Sequence, residues 1–197
     1  MRCFHSIAEG SLDIGVLLLA AGRSRRFGAD KRRALLPNGK GILQSTVEQI
    51  DKTGLPLRIC LSDSDTEIGS SLLQSEQRVI FCKNSGLGMG ATIAEGMNVV
   101  QHWKGVIIAL ADMPWVEPST YLLLSQSIAG GLISVPTYNG RRGNPVAFDK
   151  CFFSELQGLK STRGARTLIS DQARSVHLIP VNDAGILRDV DTRQDIV

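Results

Sequence analysis

The sequence predicts an α/β fold: a single-domain, Rossmann-like three-layer α/β/α arrangement around a mostly parallel sheet. Three observations carry that prediction. Apolar runs of strand length, such as Ile14 to Leu19 and Val106 to Leu110, are rich in branched residues and too short for ordinary helices, as buried parallel strands are. Segments with helical spacing alternate with them, which is the β-α pattern of a parallel sheet covered on both faces. The chain has 197 residues, 43% of them hydrophobic and 21% charged, which suits one globular domain with a sizeable core. Residues 1–13 read as an N-terminal extension and residues 14–197 as the domain.

The first strand, Ile14 to Leu19, stops at Ala20-Ala21-Gly22, where small side chains let a ligand come against the backbone. The next segment carries Arg23, Arg25, Arg26, Lys31, Arg32 and Arg33, with Gly28 to bend it. Ligands of open α/β sheets sit at the carboxyl ends of strands, so this loop is a phosphate mouth by position and by charge. A solvated cationic face is the alternative. Ile42 to Thr53 reads as a helix, with Ile42, Leu43, Val47 and Ile50 near helical spacing, and Gly54-Leu55-Pro56 ends it. Leu57 to Leu61 is a strand, Ser62 to Asp65 supplies turn and cap residues for a helix through Leu73, and Arg78 to Cys82 is the next strand.

Gly86, Gly88 and Gly90 alternate immediately before a helix whose Ile93, Met97 and Val100 share one face. Exposed backbone N–H groups and the helix dipole suit an anion or a base edge there, with a ligand-free turn as the alternative. The fourth strand, Val106 to Leu110, runs into Asp112-Met113-Pro114. A carboxylate at the tip of a buried strand suits magnesium that also holds phosphate oxygens, whereas an isolated Asp-x-Pro can equally cap the helix from Pro118 to Ile128. Leu132 to Val135 is a strand, Pro136 to Gly143 a turn and Pro145 to Phe148 a returning strand, a hairpin-like excursion. Ile186 to Val190 reads as a last strand, and Asp189-x-Asp191 then sends two carboxylates to one face, where a cation or hydrogen-bond donors must accompany them. A helix cap by Asp191 with Thr192 is the alternative.

Composition narrows the function classes. The net charge is only +3 and the basic residues concentrate at 23–33, which favours a local anion site over a nucleic-acid surface. Aromatic residues make up 5%, too few for a row of base-stacking platforms. Neither a P-loop nor a G-x-G-x-x-G follows the first strand. Cys3, Cys60, Cys82 and Cys151 are far apart without C-x-x-C, so buried, reduced thiols in a cytoplasmic protein are expected. Residues 1–13 lack a signal-peptide core, and no run approaches membrane-span length. His5, His102 and His177 fall outside the candidate site.

Several segments carry a family resemblance. Leu19, Ala20, Ala21, Gly22, Ser24, Arg26, Gly28 and Lys31 match L-A-A-G-x-S-x-R-x-G-x-x-K, with Phe27 where Met is common, and the stretch resembles the signature of nucleotidyltransferases with a glycosyltransferase-A-like fold. Gly86 to Thr92 resembles the G-L-G-M-G-x-S segment of the MobA/MocA-like, molybdenum-cofactor branch, its cytidylyltransferases in particular, and Leu110 to Pro114 resembles the L-A-D-M-P metal motif. Gly143-Asn144-Pro145-Val146 resembles the acceptor-side G-H-P-V, where Asn144 keeps a hydrogen-bonding group and removes a titratable one. Leu159 to Leu168 resembles G-D-x-G-A-R, keeping Gly164, Ala165 and Arg166 while Ser161-Thr162 replaces Gly-Asp. The end resembles D-x-D-T-P-x-D, with Arg193 replacing Pro.

The resemblance implies roles for named residues. Leu19, Ala20, Ala21, Gly22, Ser24, Arg26, Lys31, Ser85, Gly86, Gly88, Gly90 and Thr92 surround the nucleotide; Arg26, Lys31 and Asp112 act in catalysis. Asp112 and Asp191 hold Mg2+, and Arg142, Gly143, Asn144 and Pro145 contact the acceptor. The implied reaction moves a nucleoside monophosphate from a nucleoside triphosphate, CTP by this branch, to molybdopterin or its molybdenum-loaded form, with a molybdoenzyme as possible partner. Guanylyl transfer from GTP, sugar-phosphate nucleotidyl transfer and a non-catalytic nucleotide- or partner-binding module are the alternatives. Neither a nucleic acid nor a membrane is an expected partner.

Overall fold

The computed structural model describes residues 14–22, 27, 30–68, 78–160 and 164–196. Its strands are Ile14–Leu19 (β1), Leu57–Ser62 (β2), Val79–Cys82 (β3), Gly105–Leu110 (β4), Ile133–Tyr138 (β5), Arg141–Arg142 (β6), Val146–Asp149 (β7) and Val176–Pro180 (β8). They form one sheet in the order β3-β2-β1-β4-β7-β5-β6, with β8 paired to β5. The β1, β2, β3 and β4 pairings are parallel, as is β5 with β8; β7 runs antiparallel between β4 and β5, so the expected hairpin-like excursion is β5 returning as β7, and the short β6, inside the stretch expected as a turn, pairs antiparallel with the end of β5.

Strand alternation builds the three layers. Val16, Leu18 and Ala20 face a cluster that contains Leu43, Val47 and Ile50 of Ile42–Asp51 (α1) and Tyr121 and Leu124 of Pro118–Gln126 (α3). Leu17 and Leu19 face the other side, against Ile93, Met97 and Val100 of Met89–Val100 (α2) and Phe153 and Leu156 of Phe153–Gln157 (α4). The last helix, Arg166–Asp171 (α5), adds Leu168 to that second face. At about 25 cal/mol per Å2 of apolar surface removed from water, these two faces supply the main stabilising term.

Helix α2 approaches β1 and β2 closely because residue 96 is glycine. A Cβ there would lie 2.8 Å from Cys60 Sγ and 2.9 Å from both Leu17 methyls. Gly96→Ala therefore overpacks the core, and the gain in helix propensity offsets only part of the strain. The expected loss is about 1–2 kcal/mol, read as a lower midpoint in urea with an unchanged m-value.

The topology explains where the cavity opens. The chain runs outward from β1 to β2 and β3, then returns to pair β4 on the opposite side of β1. The order reverses between β1 and β4, and Leu19 pairs with Leu110, so both strands end side by side. Crevices form at such switch points, outside the carboxyl ends of the strands.

Four expectations need correction. Ile186 to Val190 is not a strand: Ala184–Leu187 forms a 3-10 turn, and residues 188–191 belong to no strand. The buried Asp183 drives this, since its carboxylate accepts from Gly185 N (2.8 Å), Glu117 N (2.9 Å) and Thr120 Oγ1 (2.7 Å) and so folds the segment back on α3. Strand β8 was not anticipated, because only Ile179 of its five residues is buried and the edge position leaves no alternation to detect. The hairpin strand β5 continues through Pro136 to Tyr138, beyond the expected end at Val135. Cys60 and Cys82 are buried free thiols as expected, but Cys151 is exposed at the start of the α4 region, and Cys3 lies outside the described residues. The helix after Asp65 is helical over residues 66–68, and residues 69–77, like 161–163, lie outside the described residues. Among the described residues no helix is long and apolar enough to cross a membrane.

Candidate active site

The loop after β1 is held by one arginine. Arg32 Nη1 donates to the Ala20 carbonyl at 2.9 Å, its Nε and Nη2 each reach Asp30 at 2.8 Å, and Nη1 and Nη2 also grip Asp65. Burial alone would lower the Arg32 pKa, but the Asp30 and Asp65 carboxylates raise it above the ordinary value. Asp30 feels the same balance in reverse: burial pushes its pKa up, and Arg32 more than offsets that and lowers it. Arg32 therefore joins the ends of β1 and β2 to the loop, and its donors are committed to protein groups. Arg33 reaches Glu67 at 3.4 Å on the surface.

Lys31 faces the strand tips instead. Its Nζ donates to Asp112 Oδ2 at 2.6 Å and to the Val190 carbonyl at 2.9 Å, and lies 3.6 Å from Asp191 Oδ1. The backbone around Asp112 is fixed from both sides: Thr46 Oγ1 donates to the Ala111 carbonyl at 3.0 Å, and Val190 N donates to the Asp112 carbonyl at 2.9 Å. Val190 is itself buried with Phe27, Leu36 and Ile42. Of the alternative that Asp191 with Thr192 caps a helix, the Thr192 half holds and the Asp191 half does not. The cap of Arg193–Asp195 is Thr192, and the Asp195 carboxylate accepts from the backbone N–H groups of Asp191 and Thr192. Those Thr192 bonds lower the Asp195 pKa. Asp191 thus turns toward Lys31 while Asp189 is exposed.

A cavity of about 480 Å3 lies at this place, within the usual range for a small-molecule site. The predicted residues Leu19, Ala20, Ala21, Gly22, Lys31, Ser85, Gly86, Gly88, Thr92 and Asp112 line it. Gly88 enters α2 with φ 127°, a conformation that glycine adopts at little cost. Gly90 is buried in the first turn of α2 and is not on the wall, while Ser24 and Arg26 lie outside the described residues. Leu87 and Met89, inside the glycine segment already singled out, are on the wall and exposed. Sequence inspection missed Arg32, Ile42, Leu110 and Ala111 on the wall, where the one available signal was that Arg32 follows Lys31 and Leu110-Ala111 precedes Asp112.

The predicted acceptor residues lie off this wall, beside the segment that carries Asp191. A Cβ on Gly143 would sit 2.4 Å from the Ile186 carbonyl oxygen, so the two backbones touch. Asn144 N donates to that carbonyl at 3.0 Å, Pro145 is buried behind it, and Arg142 is exposed on β6. Arg188, two residues further along, lays its guanidinium 4.0 Å from the centroid of the Trp115 ring.

The donor set suits a hard divalent cation. Asp112 Oδ1 is buried with no hydrogen-bond partner among the described residues, and Asp191 brings a second carboxylate to the same lysine. Among the described residues no cluster of three or more His, Cys, Asp or Glu side chains forms, so a cation held by Asp112 and Asp191 would need phosphate oxygens and water for its remaining ligands, a ligand set that suits magnesium.

A cavity at the switch point of a Rossmann-like sheet, with a lysine and two carboxylates at its rim, is the arrangement of a nucleotide-handling α/β protein. Comparison with known proteins makes this specific. Residues 16–176 match the model of the MobA-like NTP transferase domain, and the chain belongs to that family of nucleotidyltransferases. It is 29% identical to the purine catabolism protein PucB of Bacillus subtilis (strain 168), over 92% of this chain and 93% of PucB. It is also 30% identical to a probable molybdenum cofactor guanylyltransferase of Chloroflexus aggregans, over 56% of this chain and 51% of that protein. The fold matches the crystal structure of Rv0371c from Mycobacterium tuberculosis H37Rv with a TM-score of 0.82 and 24% identity, over 93% of this chain and 94% of the other.

Proposed function

We propose that the protein transfers a nucleoside monophosphate from CTP to the phosphate of molybdopterin or its molybdenum-loaded form, releasing pyrophosphate. The observation that carries this is the meeting of Lys31, Asp112 and Asp191 at the rim of a nucleotide-sized cavity. The triphosphate lies across Ala20, Ala21 and Gly22, where the backbone is open, with Lys31 and Arg26 against its charge. Asp112 and Asp191 would hold Mg2+, which would supply charge neutralisation at the reacting phosphates. Gly143 and Asn144 place the acceptor beside the Asp191 segment. A phosphate monoester is already ionised at neutral pH, so the acceptor attacks in line without a strong general base, and positioning and charge neutralisation do the catalytic work. The single domain works in the cytoplasm and hands its product to a molybdoenzyme.

Calorimetric titration of CTP, GTP, ATP and UTP, each with and without Mg2+, tests the nucleotide assignment. Magnesium-dependent preference for CTP supports cytidylyl transfer. Preference for GTP moves the protein to guanylyl transfer, the second reading, which the similarity to the guanylyltransferase of Chloroflexus aggregans favours. Absence of binding to all four removes the proposal. Lys31→Ala weakens triphosphate binding by about tenfold or more, since one charge-assisted contact to phosphate is lost. Unchanged affinity in that variant places the phosphates elsewhere.

A further inference from the structure

The cavity has two chemically different ends. Lys31 and Asp112 lie at one, and at the other Ser85, Gly86, Leu87, Gly88, Met89 and Thr92 offer backbone groups, two apolar side chains and two hydroxyls but no charge. If the triphosphate occupies the charged end, the base meets the neutral one. A wall of backbone N–H and C=O groups tells one base from another only if it is held in place, because discrimination rests on paired or unpaired hydrogen-bonding edges.

The loop is anchored at both ends to the same helix. At its far end, Gly88 leads directly into α2, with Gly88 N bonded to the Ser85 carbonyl at 3.2 Å and Leu87 N to the Asn84 carbonyl at 2.9 Å. At its near end, Glu95, on α2, reaches back to Asn84. Glu95 Oε1 accepts from Asn84 N at 3.0 Å and from Asn84 Nδ2 at 2.5 Å, while Oε2 is buried without a hydrogen-bond partner among the described residues. The stretch from residue 84 to residue 95 is thereby closed into one ring of chain. Glu95 is not on the cavity wall, so its influence on a ligand runs through Asn84.

We infer that Glu95 is a positioning residue for nucleobase selectivity: by clamping Asn84 it fixes the height of the Ser85–Leu87 turn against the base. The inference rests on the assignment of this cavity to the nucleotide. Because the clamp sits at the neutral end, it governs the base and leaves the phosphates alone.

The test measures Kd for CTP, GTP, ATP and UTP in the presence of Mg2+, with inorganic tripolyphosphate as a base-free probe. Proteins are wild type, Glu95→Ala, Glu95→Gln, Asn84→Ala and the Glu95→Ala/Asn84→Ala double variant. In Glu95→Ala the preferred nucleotide binds about five- to tenfold more weakly, the ratio between preferred and other nucleotides falls by the same factor, and tripolyphosphate affinity is unchanged. Glu95→Gln keeps an acceptor oxygen for Asn84 and restores most of the selectivity. Asn84→Ala matches Glu95→Ala, and the double variant is no worse than either, as expected of two groups acting as one. Amide hydrogen exchange at residues 85–88 speeds up in Glu95→Ala while β1 and β4 stay protected. Equal weakening of all four nucleotides and tripolyphosphate, or a selective wild type whose selectivity survives Glu95→Ala, overturns the clamp and leaves the nucleotide assignment standing. A wild type that binds none of the five overturns both.

Discussion

Asp112→Asn lowers nucleotidyl transfer on the order of 1,000-fold while leaving the fold intact. The substitution keeps volume and shape and removes one charge. Lys31 loses the partner 2.6 Å away, yet its bond to the Val190 carbonyl remains, and the backbone bonds of Ala111 and Asp112 to Thr46 and Val190 do not involve the side chain. The Lys31 and Asp112 side chains are 16% and 22% exposed, so the stability cost of breaking the pair is held to about 1 kcal/mol. The chemical cost is larger because a neutral amide is a poor ligand for a hard cation and carries no charge to balance it. Pyrophosphate release under saturating nucleotide and acceptor measures turnover, and Mn2+ titration in the presence of nucleotide measures the cation. Near-wild-type turnover in Asp112→Asn would falsify the central metal assignment.

Arg32→Met is expected to be the most damaging single change to stability, costing about 2–4 kcal/mol. The variant keeps the aliphatic stem but leaves Asp30 and Asp65 close together without their cation and strands the Ala20 carbonyl. The Arg32 side chain is 11% exposed and that of Asp65 15%, so water compensates only in part. Arg32→Lys restores the charge without the fork and recovers less than half of the loss, because a single ammonium cannot meet Asp30, Asp65 and Ala20 together. The pH dependence has a definite sign. Asp30 has its pKa lowered below the ordinary 3.8 when folded, so its contribution is fully present above the unfolded value and is lost as pH falls through the folded one. The stability gap between wild type and Arg32→Met therefore narrows below about pH 4. Urea unfolding at pH 7 and in the acid range reads it, and equal midpoints at pH 7 remove the clamp from the account. Nucleotide affinity falls along with stability, since Ala20 lines the cavity that Arg32 braces.

The parts of the fold that sequence inspection reached obey local rules. Strands β1 and β4 announce themselves because burial on both faces requires unbroken apolar runs, and the α2 face follows from Ile93, Met97 and Val100 recurring at helical spacing. The candidate site was legible where a motif sits on a strand tip: Gly22, Asp112 and the glycine run all fall on or beside the cavity. Strand β8 stayed hidden because an edge strand with exposed His177 and Leu178 carries no periodic signal. The stretch from Ile186 to Val190 was misjudged for a related reason. Its extended look is local, whereas its path is set by Asp183 bonding residues more than sixty positions away.

The sequence by itself determined the layered α/β class, the strand tips at Leu19 and Leu110 and the chemistry available there, because side-chain burial and glycine conformation are encoded residue by residue. What the packing adds is the partner of each described cation in that loop. Arg32 and Lys31 are neighbours in one basic loop, but Arg32 is turned inward by Asp65, 33 residues away, and Lys31 is turned to Asp112, 81 residues away, and to the Val190 carbonyl, 159 away. Charge along a chain is a local property, but the partner that satisfies each charge is chosen by the order in which strands come together, and that order brings β4 and the C-terminal segment to the end of β1.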